Sequence, residues 1–144
     1  MNPISTEQLD RYYQQVTDII LSRQSPITGL LPASTAVNAH GDYTDAWVRD
    51  NVYSILAAWG LGLSYRRLDE NEGRAVLLEQ SVVKLRRGLL IAMMRQSEKV
   101  VRFKQTQNPL DALGAQYDTA SGDPVVGVVA GGRLGREATA LGVC

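Results

Sequence analysis

The chain has 144 residues, 44% of them apolar and 21% charged, an ordinary balance for one globular domain or part of one. Its 15 basic residues match its 15 acidic ones, so no net field draws it to nucleic acid or to an anionic membrane. The single cysteine, Cys144, excludes an intrachain disulfide framework, and the longest apolar run, Ile55 to Leu63, is far too short to span a bilayer.

At the N-terminus no basic segment is followed by an apolar one, so no secretory signal is visible and the cytoplasm is the expected compartment. Ser5 and Gln8 form a capping box, and Leu9, Tyr13, Val16 and Ile20 follow at helical spacing. Ser25-Pro26 and Thr28-Gly29 end that first helix, and Leu30 to Thr44 reads as loop. A second helix is predicted from about Asp50 to Arg67, where Tyr53, Trp59 and Tyr65 read as core. Leu68 to Gly73 reads as a charged connector. A third helix, from about Arg74 to Gln96, carries Leu78, Val82, Leu85, Leu89 and Met93 on one face, and Gly88 need not break it. Asn108-Pro109 is a start signal for a short helix over Leu110 to Ala115, and from Ala120 the composition turns to glycine and valine. No internal repeat is present, and no strand pattern is strong enough to build a sheet.

The most informative stretch is Asp45-Ala46-Trp47-Val48-Arg49-Asp50-Asn51. An indole beside a guanidinium fork and a carboxylate can hold a sugar ring, the indole on its C–H face and the charged groups on vicinal hydroxyls. The same residues also fit a plain helix start, with Asp50 as cap, Trp47 as hydrophobic staple and Arg49 solvated. Asp45 reads as solvated loop. Lys84, Arg86, Arg87 and Arg95 flank an apolar, methionine-containing run that has the outline of a calmodulin target, but a buried helix with a solvated basic edge accounts for it, and calmodulin is not an expected partner. Gly127 to Leu134 approaches a phosphate-binding loop, yet arginine stands for the lysine and Leu134 for the hydroxyl residue, so no nucleotide site is expected. His40 is the only histidine. No metal cluster or histidine-dependent nucleophile can be assembled, and no cofactor is implied.

Asn51 to Tyr65 (NVYSILAAWGLGLSY), Pro26 to Ser34 (PITGLLPAS) and Leu78 to Leu90 (LEQSVVKLRRGLL) resemble the N-terminal region of the phosphorylase kinase alpha/beta subunits. Those subunits begin with a domain similar to glycoside hydrolase family 15, the glucoamylases, whose Trp-x-Arg-Asp motif lines the subsite for the terminal glucose. The resemblance covers about Leu9 to Val126 and continues more weakly beyond. It implies an all-α fold, part of an (α/α)6 toroid of helical hairpins, and assigns Trp47, Arg49 and Asp50 to a residual sugar subsite. It also implies a division at residue 126, with 127–144 a divergent, irregular tail rich in glycine and valine. Twelve helices with their loops need roughly 190 residues, so the chain is expected to be a truncated piece of the toroid, its remaining helices encoded downstream.

The tail departs from the family pattern. Gly132, Arg133, Leu134, Ala138 and Thr139 fall in register with a family segment that contains Trp-Gly. Val128 and Val129 stand where acids are expected, Gly131 where the tryptophan is, and Glu137 where an aspartate is. Glycoside hydrolysis needs one carboxyl group to protonate the leaving oxygen and a second to activate water or attack. Neither catalytic glutamate of the family can be assigned here. Glu70, Glu72, Glu79 and Glu98 lie in a connector or on helices as solvated residues. The expectation is a family-15-like piece linked to glycogen or starch metabolism, without catalysis of its own, in contact at most with an α-glucan or oligosaccharide. Two alternatives stay open: a hydrolase completed by further chain, and a helical regulatory module that self-associates or binds a protein partner through uncovered helix faces.

Overall fold

The computed structural model describes residues 5–35, 37–38, 41–42, 44–69 and 71–125. Helix α1, Thr6–Ile19, starts where Ser5 Oγ accepts from the Gln8 amide at 3.2 Å. Its apolar stripe works as the spacing implies. Leu9 is buried, and Tyr13, Val16 and Ile20 pack against the core. A 3-10 turn, Leu21–Arg23, closes the helix, and the chain then folds back onto a later helix through two glycines.

Helices α2, Val48–Leu68, and α3, Glu72–Met94, form a hairpin across a short connector. Asp69 ends α2 in the left-handed conformation (φ 52°), and Asn71 Oδ1 caps α3 by accepting from the Arg74 amide at 3.2 Å. The two helices approach closely at Gly62, where a Cβ would stand 3.4 Å from Leu78 Cβ and 3.8 Å from Ala75 O. Arg66 on α2 closes the outer edge with paired bonds to Glu79 (2.9 and 2.8 Å) and one to Glu72 (3.3 Å). Gly29 and Gly88 let the loop after α1 lie on the α3 backbone. A Cβ would meet Lys84 O at 2.5 Å from Gly29, and Thr28 O at 2.1 Å from Gly88. Gln24 Nε2 ties the same loop to Gly29 O and Ser81 O, both at 2.9 Å.

Several sequence expectations need correction. A fourth helix, α4, spans Ser97–Thr106. It has no fully buried residue, and its apolar residues, Val100, Val101 and Phe103, are too few to announce a helix by repetition. The start signal at Asn108-Pro109 yields only a 3-10 turn, Pro109–Asp111. Strands do form, each of two residues: β1 (Val37–Asn38) pairs with β2 (Gly41–Asp42), and β3 (Ala46–Trp47) with β4 (Gln116–Tyr117), all antiparallel. Among the aromatics of α2, Tyr65 is core, but Tyr53 is 70% and Trp59 50% exposed.

The core therefore joins α1, α2, α3, the loop residues Leu30 and Leu31, and the inward side of β3–β4. The described chain is mostly helical, as an all-α fold requires. Among the described residues no helix is long and apolar enough to cross a membrane. His40, Glu70 and the segment 127–144, with its glycine-rich run and its departures from the family pattern, lie outside the described residues.

Candidate functional site

The site is built at the junction of β3 and α2. The ladder pairs Ala46 with Tyr117 and Trp47 with Gln116. Because side chains alternate along a strand, Ala46 and Tyr117 point one way, and both are fully buried. Trp47 and Gln116 share the opposite face, and Asp45 stands beside them: Gln116 Nε2 donates to Asp45 Oδ2 at 2.7 Å. The amide of Val48 donates to Ala115 O (2.9 Å), continuing the ladder into the first turn of α2.

Helix α2 starts at Val48 rather than at Asp50, and Trp47 holds the cap position with no side-chain capping bond. Asp50 sits instead in the first turn, where the helix dipole favours its charge. Arg49 Nη2 lies 3.7 Å from Asp50 Oδ2, and their side chains are 59% and 37% exposed. Such a pair contributes little to stability, about 0–1 kcal/mol, and leaves both groups accessible. Trp47, Arg49 and Asp50, the residues that the sequence resemblance points to, are thus adjacent at one helix end.

The residue that anchors this junction is one that sequence reasoning did not single out. Asn51 is fully buried. Its Oδ1 accepts from the Leu31 amide (2.8 Å), while Nδ2 donates to Leu31 O (2.8 Å) and Trp47 O (2.9 Å). Its place beside the charged motif was the only available signal. On the other strand, Gln96 holds β4: it donates to Tyr117 Oη (2.9 Å) and Gly114 O (3.1 Å) and accepts from the Gly114 amide (2.9 Å). Burial pushes the Tyr117 phenol above its ordinary pKa, and the Gln96 bond partly offsets it.

A cavity of about 500 Å³ opens next to the ladder, lined by Ser25, Pro32, Ser34, Thr35, Thr44, Asp45, Asp118, Thr119 and Ala120. Trp47, Arg49 and Asp50 are not part of its lining. Its walls are cross-braced. Thr119 Oγ1 donates to Thr44 O and Thr28 Oγ1 to Thr119 O, both at 2.6 Å, and the Ala33 amide donates to Asp45 O at 2.9 Å. Asp118 Oδ1 accepts from the amides of Ser121 (2.6 Å) and Ala120 (3.0 Å), which holds its carboxyl below the ordinary value, the Ser121 amide contributing most. Arg95 Nη1 steadies that turn through Ser121 O (2.7 Å) and Asp123 Oδ1 (2.6 Å).

A glycosidic general acid must stay protonated near neutrality, and Asp118 is shifted the other way. Glu72 and Glu79 are engaged by Arg66 outside this cavity, and Glu98 lies in the first turn of α4. Among the described residues no group of three histidine, cysteine or acidic side chains could hold a metal ion. The other ionisable cluster, Asp10, Tyr65 and Arg74, is a strut between α1, α2 and α3. Tyr65 Oη donates to Asp10 Oδ1 (2.9 Å), Arg74 also binds Asp10, and its guanidinium stacks 4.6 Å from the Tyr13 ring centre.

Comparison with known proteins places these features in a family context. The model for glycosyl hydrolases family 15 matches residues 6–143. The chain is 52% identical over 136 residues to the phosphorylase b kinase regulatory subunit alpha, liver isoform, of Mus musculus, covering 92% of this chain and 10% of that protein. It is equally similar, over the same shares, to the skeletal muscle isoform of Oryctolagus cuniculus. With the probable regulatory subunit beta of Drosophila melanogaster it shares 38% identity over 121 residues, 84% of this chain and 11% of that protein. The chain spans about a tenth of the length of the curated relatives it matches.

Proposed function

We propose that this chain, which belongs to glycosyl hydrolases family 15, is a saccharide-contacting helical segment of a phosphorylase-kinase-alpha-like protein of α-glucan metabolism. The observation that carries this reading is the strand-to-helix junction. It sets Trp47 at the cap of α2 and the accessible Arg49–Asp50 pair in the first turn, an apolar ring face beside donors and acceptors suited to vicinal hydroxyls. The segment binds without cleaving, since no described carboxylate pair is arranged for acid–base work. In this reading residues 1–126 carry the helical hairpins of the toroid, 127–144 are a divergent continuation, and the compartment is the cytoplasm.

Calorimetric titration of the chain with maltotriose tests this. Saturable binding that is lost in Trp47→Ala and weakened in Asp50→Asn supports it. A flat wild-type titration, or equal binding by all three proteins, refutes it.

A second reading is favoured by the exposed face of α2. Val52, Leu56, Trp59 and Leu63 recur at helical spacing and are 42–50% exposed. A stripe of that kind marks a contact surface, and the named relatives are regulatory subunits of a kinase. The alternative function is a helical module that docks on protein through α2. Hydrolysis by this segment joined to further chain is a third outcome, which glucose release by the longer protein would reveal.

A further inference from the structure

Along the outward line of α2, Arg49, Tyr53, Leu56, Gly60, Leu63 and Arg67 succeed one another three or four residues apart, and all are exposed. Gly60 stands near the centre of that line. A Cβ there would meet nothing within 4 Å, and Gly60 is not among the glycines of positive φ. Neither packing nor backbone conformation within this chain therefore requires glycine at the position. Glycine inside a helix lowers its stability relative to alanine. What the missing side chain provides is room for a second helix to approach.

Resting on the protein-docking reading of α2 above, we infer that the occupant of this face is a second copy of the same chain, its α2 crossing antiparallel with Gly60 against Gly60. A two-fold contact must be self-complementary, so that each pair of facing residues occurs twice. A two-fold axis at Gly60 meets that condition. Leu56, four residues before the glycine, falls opposite Leu63 of the second copy, three residues after it. Ala57 likewise falls opposite Ser64, and Tyr53 opposite Arg67, an aromatic ring against a guanidinium. Val52, Tyr53, Leu56, Trp59 and Leu63 are 42–70% exposed. Side chains of these sizes offer on the order of 500 Å² from each copy, near the total of about 1,000 Å² at which specific interfaces begin. An unrelated partner asks only for an apolar stripe; matched spacing on both sides of one glycine favours self-pairing.

Thiol cross-linking of the full chain, with Cys144→Ser to remove the native thiol, tests the pairing. Gly60→Cys is expected to form a covalent dimer under mild oxidation, because the two residues meet at the crossing, within the roughly 7 Å between Cα atoms that a disulfide spans. Tyr53→Cys is expected to stay uncoupled, since antiparallel copies hold the two residues about 20 Å apart along the helix axis. Gly60→Ala, which keeps the helix, should weaken association about tenfold or more in sedimentation equilibrium, because a methyl group from each copy enters the closest contact. In dilute solution, where monomers prevail, the same substitution strengthens α2. Association that cross-links at residue 53 and not at 60, or that is unchanged in Gly60→Ala, would overturn the pairing and leave α2 a docking face. A wild-type chain that stays monomeric at high concentration removes the second copy as occupant and assigns the stripe to a different protein. Association undisturbed by Leu56→Lys with Trp59→Lys places the contact elsewhere and sinks the docking reading with the pairing.

Discussion

The side chain of Asn51 reads the backbone of Leu31 from both sides, accepting from its amide and donating to its carbonyl at 2.8 Å each. This one pair of contacts fastens the loop after α1 to the first turn of α2, and a third bond, to Trp47 O, fixes the entry into that helix. The position of the candidate sugar-contacting residues depends on it, although Asn51 itself faces the core.

Asn51→Ala should therefore be among the most damaging polar substitutions in the chain. It leaves the buried amide and carbonyl of Leu31 unpaired, each costing about 1–3 kcal/mol. Chemical denaturation should show a loss of roughly 3 kcal/mol. An unfolding midpoint equal to that of the wild type would show that water or a loop shift replaces the clamp.

Two glycines should respond in opposite directions to alanine. At Gly88 the new Cβ would stand 2.1 Å from Thr28 O, so the loop must leave α3, and a destabilisation of about 2 kcal/mol or more is expected. At Gly60 nothing lies within 4 Å, and alanine should stabilise α2 by up to about 1 kcal/mol. Thermal melts of the two variants give the comparison, and equal effects would contradict it.

The outer stripe of α2 should drive association. Sedimentation of the wild type is expected to depend on concentration, while Leu56→Lys with Trp59→Lys should sediment as a monomer with unchanged helicity. A wild-type protein that remains monomeric at high concentration would argue against α2 as a contact face.

The 144-residue chain should release no glucose from maltose or starch-type glucans, since no acid–base carboxylate pair can be assigned among the described residues. Release that survives rigorous purification and disappears in Asp50→Asn would overturn this.

Alkaline pH should unfold the protein in part through its buried tyrosines. Burial raises the pKa of both Tyr117 and Tyr65 above the ordinary value of 10.0. The folded state thus holds protons that the unfolded chain has released. The stabilisation is fully present below pH 10 and is lost as the pH rises through the higher folded values. Tyr117→Phe, which cannot ionise, should flatten the decline above that point. The same slope in wild type and variant would remove Tyr117 as its source.

What could be read from the sequence alone was local or periodic. The Ser5 cap depends on a residue three positions away, and the inner face of α3 repeats Leu78, Leu85 and Leu89 over a length that leaves no doubt about its period. The Trp47, Arg49, Asp50 constellation was legible for the same reason, as neighbours within one turn. Helix α4 was not, because its apolar residues, Val100, Val101 and Phe103, span too short a stretch for a period to repeat. Strands of two residues have no readable period either, and β3 pairs with β4 far along the chain, Ala46 with Tyr117 and Trp47 with Gln116. The exposure of Tyr53 and Trp59, the buried role of Asn51 and the meeting of Asp45 with Gln116 were all decided in three dimensions. Residue type states what a side chain can bind, but its partner and its side of the helix are chosen by packing between segments far apart in the chain.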